Sequence, residues 1–243
     1  MKLLAIDTSN QPLSVAVAED NKLLAEVTTC VTKNHSVTLM PTIKEVLKAA
    51  QLEIKDIDRV VVAQGPGSYT GLRIGVTTAK TLAFTIQKEL VGVSSLAILA
   101  NAYPQTDALL VPLFDARREN VFAAVYKWQK DELQVILEEQ HLSIQELCQK
   151  LAKRRERIIF IGIDSNKFSK IFQVELTMKK YSIAPEQFAY PSGFVLTQLG
   201  RQMKPVQISD FVPRYLRLTQ AETQWLQNNP EGKKYDESYV KKI

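Results

Sequence analysis

The sequence predicts an α/β protein made of two copies of one unit, each three strands followed by helix, strand and helix (βββαβα). Three observations carry this. A short apolar run ends in an aspartate twice, at residues 3–6 before Asp7 and at 108–114 before Asp115. Each run is followed by two more strand-like segments and an amphipathic helix. The stretch RVVVAQG at 59–65 then has a counterpart in RIIFIGI at 157–163.

The elements follow in order. Leu13, Val15 and Val17 alternate with small residues, the period of a strand, and KLLAEVTT at 22–29 makes a third strand after a turn at Asn21. Val37, Met40, Ile43, Val46, Leu47 and Ala50 recur at three- and four-residue steps, which predicts a helix capped by Asn34 or Ser36. Residues 60–63 read as a buried parallel strand, 72–87 as a helix, 90–93 as a strand, and 95–102 as a helix stopped by Pro104. In the second copy, 120–127 and 133–139 are strands, and 143–153 is a helix with Ser143 as cap and Glu146 at the capping-box position. Residues 191–203 predict a last helix, and PRYLR at 213–217 an ordered tail segment. The expected division is a first lobe over 1–104, a second over 105–227, and a polar tail over 228–243.

With 243 residues, 45% hydrophobic and 23% charged, the chain has the composition of a folded soluble protein. No apolar run approaches the ~20 residues of a membrane span. Two cysteines, Cys30 and Cys148, exclude a disulfide framework, so a cytoplasmic location and no membrane partner are expected. The net charge is +5, and its densest cluster is Lys153, Arg154, Arg155 and Arg157. That cluster reads as a solvated helix end or as an RNA-facing patch.

Four of the nine glycines lie between 65 and 75. A glycine-rich turn from strand to helix can aim amides at a phosphate, or can serve only as a tight packing turn. The Gly-x-Gly-x-x-x-Gly string matches neither the P-loop nor the dinucleotide fingerprint. Asp7, Gly65, Gly67, Ser68 and Gly71 are the candidate nucleotide-binding residues. Asp7 and Asp115 would either face a cleft and hold Mg²⁺ with phosphates, or hydrogen-bond the turns that follow them. The two histidines, His35 and His141, stand outside any metal-ligand spacing, and no metal site is expected.

LLAIDTS, NHSVTLMPTI, GPGSYTGLRIGVTTAKTLA and LVGVSSLAILA, with DARRENVFAAVY and PRYLR, resemble the bacterial TsaB (YeaZ) family over the whole chain. The resemblance implies the duplicated fold of the actin, hexokinase and Hsp70 ATPases (the ASKHA fold). It also implies a role in making N6-threonylcarbamoyladenosine in tRNAs that read codons beginning with A. In that system the catalyst is the sister protein TsaD, a small ATPase, TsaE, joins the complex, and threonylcarbamoyl-adenylate is the donor. TsaD-type proteins carry two metal-binding histidines in a GVNHLEGH segment. Here Ser95 and Leu99 stand in their places, and the Gly-Gly pair of the sister's adenosine loop has no counterpart. One smaller departure is Val37, where many members have an acid.

The expectation is therefore a non-catalytic partner of a TsaD-type subunit that requires no cofactor, any ATP or ADP binding being weak, and that is able to homodimerise alone. The resemblance places the contact on the two helices of the first lobe, at His35, Met40, Ile43, Leu47, Leu72, Arg73, Val76 and Lys80. Met40, Ile43 and Leu47 could equally be lobe core. The alternatives are an ATP-using phosphotransferase or ATPase and, with less support, a glycopeptidase-like metalloprotease.

Overall fold

The computed structural model describes residues 1–30, 34–178 and 180–217; the expected polar tail at 228–243 lies outside these. The two expected units are present as two five-stranded sheets. The first contains β1 (Lys2–Asp7), β2 (Leu13–Glu19), β3 (Lys22–Thr29), β4 (Arg59–Gly65) and β5 (Glu89–Ser94), in the order β3-β2-β1-β4-β5. The second contains β6 (Leu109–Asp115), β7 (Asn120–Gln129), β8 (Glu132–Ser143), β9 (Ile158–Ile161) and β10 (Tyr181–Ile183), in the equivalent order β8-β7-β6-β9-β10. In both sheets the first three strands are antiparallel, and the last two run parallel to the first strand. The stretches matched by sequence, 59–65 and 157–163, do occupy the same place: each lies parallel beside its opening strand.

Alternation along the central strands explains the layers. Leu4, Ile6, Val15, Val17, Val60 and Val62 face α1 (His35–Ala49) and α2 (Tyr69–Thr85). The intervening Leu3, Ala5, Ala16, Val61 and Val91 face the opposite way. There they meet Ile98 of α3 (Ser95–Ala102) and Leu196 of α6 (Gly193–Gln202). The second sheet repeats the plan. Val111, Val125, Ile158 and Phe160 pack on α4 (Ile144–Ala152) and on Phe172 of α5 (Ser169–Glu175), whose ring stacks on Phe160 at 3.8 Å. The other face, with Leu110, Ala124 and Ile159, takes Leu96 and Leu99 of α3. Helix α3 thus ends the first unit yet sits between the sheets, Ile98 on the first and Leu96 and Leu99 on the second, while α6 ends the second unit and packs on the first. The duplication is locked by this exchange.

Caps fall where polar residues precede the periodic runs. Asn34, Ser68, Ser94, Ser143 and Ser192 each accept an amide of the helix they open. Asn34 is the cap of α1, and α2 starts three residues earlier than its apolar period suggests because Ser68 caps it. Segments missed in the sequence are α5, β10 and the last third of β8. No helix among the described residues is long and apolar enough to cross a membrane.

Candidate functional site

Two features stand out: the turn that ends β1 with the cleft beside it, and the outer face of the α1–α2 pair.

At the turn, the glycine-rich segment is pressed against Thr8 and Ser9. A Cβ at Gly67 would collide with the Ser9 carbonyl oxygen, one at Gly71 with the Thr8 carbonyl, and one at Gly65 (φ +120°) with the Arg214 carbonyl. Thr8 Oγ1 donates to the Gly71 carbonyl at 2.7 Å, and Ser68 N donates to Ser9 O at 2.7 Å. The glycines are spent on backbone packing. Asp7 is fully buried; its Oδ1 accepts the Ser9 amide at 2.8 Å, and its Oδ2 has no partner. Burial outweighs the Ser9 hydrogen bonds and raises its pKa above the usual carboxylate value. Of the five candidate nucleotide-binding residues, only Gly67 and Ser68 line the cleft.

This packing predicts a sign. An exposed helical glycine changed to alanine gains about 1 kcal/mol. Gly71→Ala should instead cost about 1–3 kcal/mol through overpacking against Thr8. Urea unfolding reads the difference, and a stabilised variant would refute the packing role.

The cleft, of about 730 Å³, lies between Asn10, His35 and residues 67–70 on one side and residues 114–118 and 215–217 on the other. His35 Nε2 shares a 2.9 Å hydrogen bond with the Asn10 carbonyl. Asp115 does not stand free for a cation. Its Oδ1 accepts the Arg117 amide at 2.8 Å, and Lys167 Nζ bridges Asp115 Oδ2 (3.1 Å) and Asp164 Oδ1 (2.7 Å). Asn10 Nδ2 reaches Asp164 Oδ2 at 3.2 Å and so ties the lobes at this point.

The PRYLR tail runs along the same junction. Arg214 Nη1 pairs with buried Glu139 at 2.5 Å, and Ser94 Oγ and Tyr126 OH donate to the other carboxylate oxygen. Arg214 N donates to the Gln64 carbonyl at 2.7 Å, the Tyr215 ring stacks on Tyr69 at 4.8 Å, and Arg217 Nη1 donates to Ala116 O at 3.0 Å. Neither Glu139 nor Ser94 was singled out in the sequence.

On the helix pair, the structure divides the expected contact residues. Ile43, Leu47 and Val76 are core, because they face the first sheet beside Leu39 and Val46, and Leu72 is buried beside Gly65. Lys80 is taken by the carbonyls of Ser209 (3.1 Å) and Phe211 (2.6 Å). His35 turns into the cleft, and Arg73 lies along Tyr69, donating to its hydroxyl at 2.7 Å. Met40 is half exposed, and it is joined by Val37 (70% exposed) and, at the far end of α2, Phe84 (74%). Pro41, within α1, has no amide to give the Val37 carbonyl.

Ser95 and Leu99 are both buried in α3, and no cluster of metal-binding side chains occurs among the described residues. Cys148 is core, its thiol pushed up to about 12 by burial. The basic segment after α4 is exposed, with Glu156 paired to Lys127 at 3.0 Å.

A family model described as TsaD, tRNA N6-adenosine threonylcarbamoyltransferase, matches residues 22–225. The tRNA threonylcarbamoyladenosine biosynthesis protein TsaB of Bacillus subtilis (strain 168) is 35% identical over 229 residues, 94% of this chain and 99% of that protein. The chain belongs to the TsaB family. The solved structure titled YeaZ from Pseudomonas aeruginosa superposes with a TM-score of 0.73 at 26% identity, covering 88% of this chain and 99% of that one. An inorganic polyphosphate/ATP-glucomannokinase from Arthrobacter sp. strain KM shares the fold at a TM-score of 0.50 and 9% identity, covering 83% and 99%. The duplicated ASKHA architecture expected for a TsaB-family chain is thereby borne out.

Proposed function

We propose that this chain is a non-catalytic subunit that docks on a TsaD-type threonylcarbamoyltransferase and is required for N6-threonylcarbamoyladenosine formation in tRNAs reading codons that begin with A. The observation that carries the docking surface is the exposed apolar stripe of Val37 and Met40 on α1, with Phe84 on α2, flanking helices whose other faces are committed to the first sheet. Helix pairs join through such ridges, and the same face serves a homodimer when the partner is absent. The non-catalytic role is supported by Ser95 and Leu99 in place of the sister protein's histidines, since leucine cannot ligate a metal. It is supported further by Asp7, whose carboxyl is sealed in the protein and not presented to the cleft. A TsaE-type ATPase completes the complex, and tRNA is the substrate of the assembly.

The test is a dropout reconstitution. Unmodified tRNA, threonine, bicarbonate, ATP and the adenylate-forming enzyme are incubated with the TsaD- and TsaE-type partners, with and without this chain. The modified nucleoside is then counted by mass spectrometry. It should appear only when the chain is present, and Asp7→Asn should support it as well as the native sequence. Product without the chain, or product abolished by Asp7→Asn in a variant that still melts normally, overturns the reading and favours an ATP-using enzyme.

A further inference from the structure

The end of α4 carries more positive charge than the helix needs, and docking through α1 and α2 makes no use of it. Lys150, Lys153, Arg154, Arg155 and Arg157 fall within eight residues. A cation in the last turn answers the helix dipole, and Lys150 fills that place while pairing with Glu146 at 3.3 Å. Glu156, the one carboxylate inside the run, is taken by Lys127 of β7 at 3.0 Å. Lys153, Arg155 and Arg157 are exposed, and their side chains meet no acceptor among the described residues.

The run stands beside an apolar groove of about 390 Å³. Its floor is aliphatic: Val125 of β7, Ile136 and Leu137 of β8, and Leu151 of α4, with Lys150, Lys153 and Arg154 completing the lining. Local structure explains the floor. Val125 pairs with Leu137 and Tyr126 with Val135, so Ile136 is an extra residue in β8. A bulge of this kind re-aims a side chain, and here Ile136 and Leu137, neighbours in sequence, both pack on the α4 side of the second sheet. β8 is the edge strand of that sheet, and no further strand among the described residues covers this margin.

We propose that this groove docks an acidic peptide segment of a partner protein, with one aliphatic side chain seated on the floor and the carboxylates around it answered by Lys153 and the cations that follow. Charge complementarity sets the sign of the partner, because three cations of the run have no counter-charge in the chain. The floor sets its class. Single-stranded RNA binds on aromatic platforms as well as on cations, and no aromatic side chain lines this groove. A bilayer takes up apolar side chains that project, whereas Val125 and Leu151 are buried and Ile136 and Leu137 half-buried. A peptide supplies in one segment both the apolar anchor and the carboxylates.

The test is fluorescence anisotropy of the full chain with a fluorescein-labelled octapeptide of sequence EDTIVTDE. It should bind saturably with a Kd below about 1 mM, and more weakly as salt rises. The peptide EDTGGTDE, which keeps the charges and lacks the anchor, should bind at least about tenfold more weakly. The double variant Lys153→Glu/Arg155→Glu, at two exposed positions, should also lose at least about tenfold. Ile136→Asn, on the floor, should lose affinity as well, and the EDTGGTDE comparison reads the same contact without altering the protein. Arg118→Gln, far from the groove in the hairpin between β6 and β7, should change nothing. No binding of EDTIVTDE, equal binding of EDTGGTDE, or an equal loss in Arg118→Gln overturns the proposal. Binding of a short single-stranded RNA or of phosphatidylglycerol vesicles in place of the peptide overturns it too.

Discussion

Replacing Arg214 with alanine is expected to lower the unfolding free energy by about 3 kcal/mol at pH 8, because it strands a buried carboxylate. Glu139 is 4% exposed, and its charge is balanced by the Arg214 guanidinium at 2.5 Å and by the hydroxyls of Ser94 and Tyr126. The four groups come from β5, β7, β8 and the tail, so the pair fastens both sheets and the segment that crosses between them. Burial already raises the Glu139 pKa, with Ser94, Arg214 and Tyr126 pulling it back. The sign follows by linkage. An acid whose pKa is higher folded than unfolded holds its proton longer in the folded state, so its contribution is greatest at acid pH and declines as pH rises through the folded value. Without Arg214 that value climbs further. The deficit of Arg214→Ala should therefore be smaller at pH 5 than at pH 8. Glu139→Gln should cost less than Arg214→Ala, since the amide still accepts hydrogen bonds and carries no charge to bury. Urea unfolding of both single variants and the double variant gives the coupling. If Arg214→Ala costs as much in the Glu139→Gln background as in the native one, the two residues are not coupled and the lock is not electrostatic.

That lock shows what the sequence hides. The paired residues are 75 positions apart, and Glu139 sits in EEQHLS, a polar run whose hydrophobic period is broken by the very carboxylate that points inward. The last third of β8 was illegible for the same reason. Lys167 meets Asp115 across 52 positions, so the aspartate read as a possible cation ligand could not be seen to be already paired. Strong patterns were legible: β1 and β4 are continuous apolar runs buried on both faces, Asn34 and Ser143 precede α1 and α4 as their caps, and the repeat of the whole unit survived with little identity. The faces of α1 were not. Apolar residues occur on both sides of that helix, Leu39, Ile43, Val46 and Leu47 inward and Val37 and Met40 outward. A three-residue step from Met40 to Ile43 joins the two faces, so spacing alone merged core and surface into one stripe. The glycine cluster was legible as a site of close approach, but whether a phosphate or a neighbouring backbone comes close is a tertiary fact.

The two faces separate by substitution. Met40→Glu should weaken binding to the TsaD-type partner by at least about a hundredfold, the loss typical when a charge is forced into a desolvated apolar contact. Its melting temperature as an isolated chain should stay within about a degree or two, because half of the side chain is already in water. Ile43→Glu, one turn on, should do the opposite. The residue is 2% exposed and packs on the first sheet, so a carboxylate there costs several kcal/mol of stability before any partner is added. Phe84→Glu tells how far the contact extends, since Phe84 is the most exposed large apolar side chain on α2 and lies at the end away from Val37 and Met40. A contact along the whole length of both helices loses affinity in Met40→Glu and in Phe84→Glu alike, while one centred on the start of α1 loses it only in the first. Size-exclusion chromatography with the partner, calorimetric titration and a thermal melt of each variant supply the readouts. Undiminished binding by a folded Met40→Glu would move the docking surface off this helix pair altogether. The exposed stripe of Val37 and Met40 would then be ordinary surface.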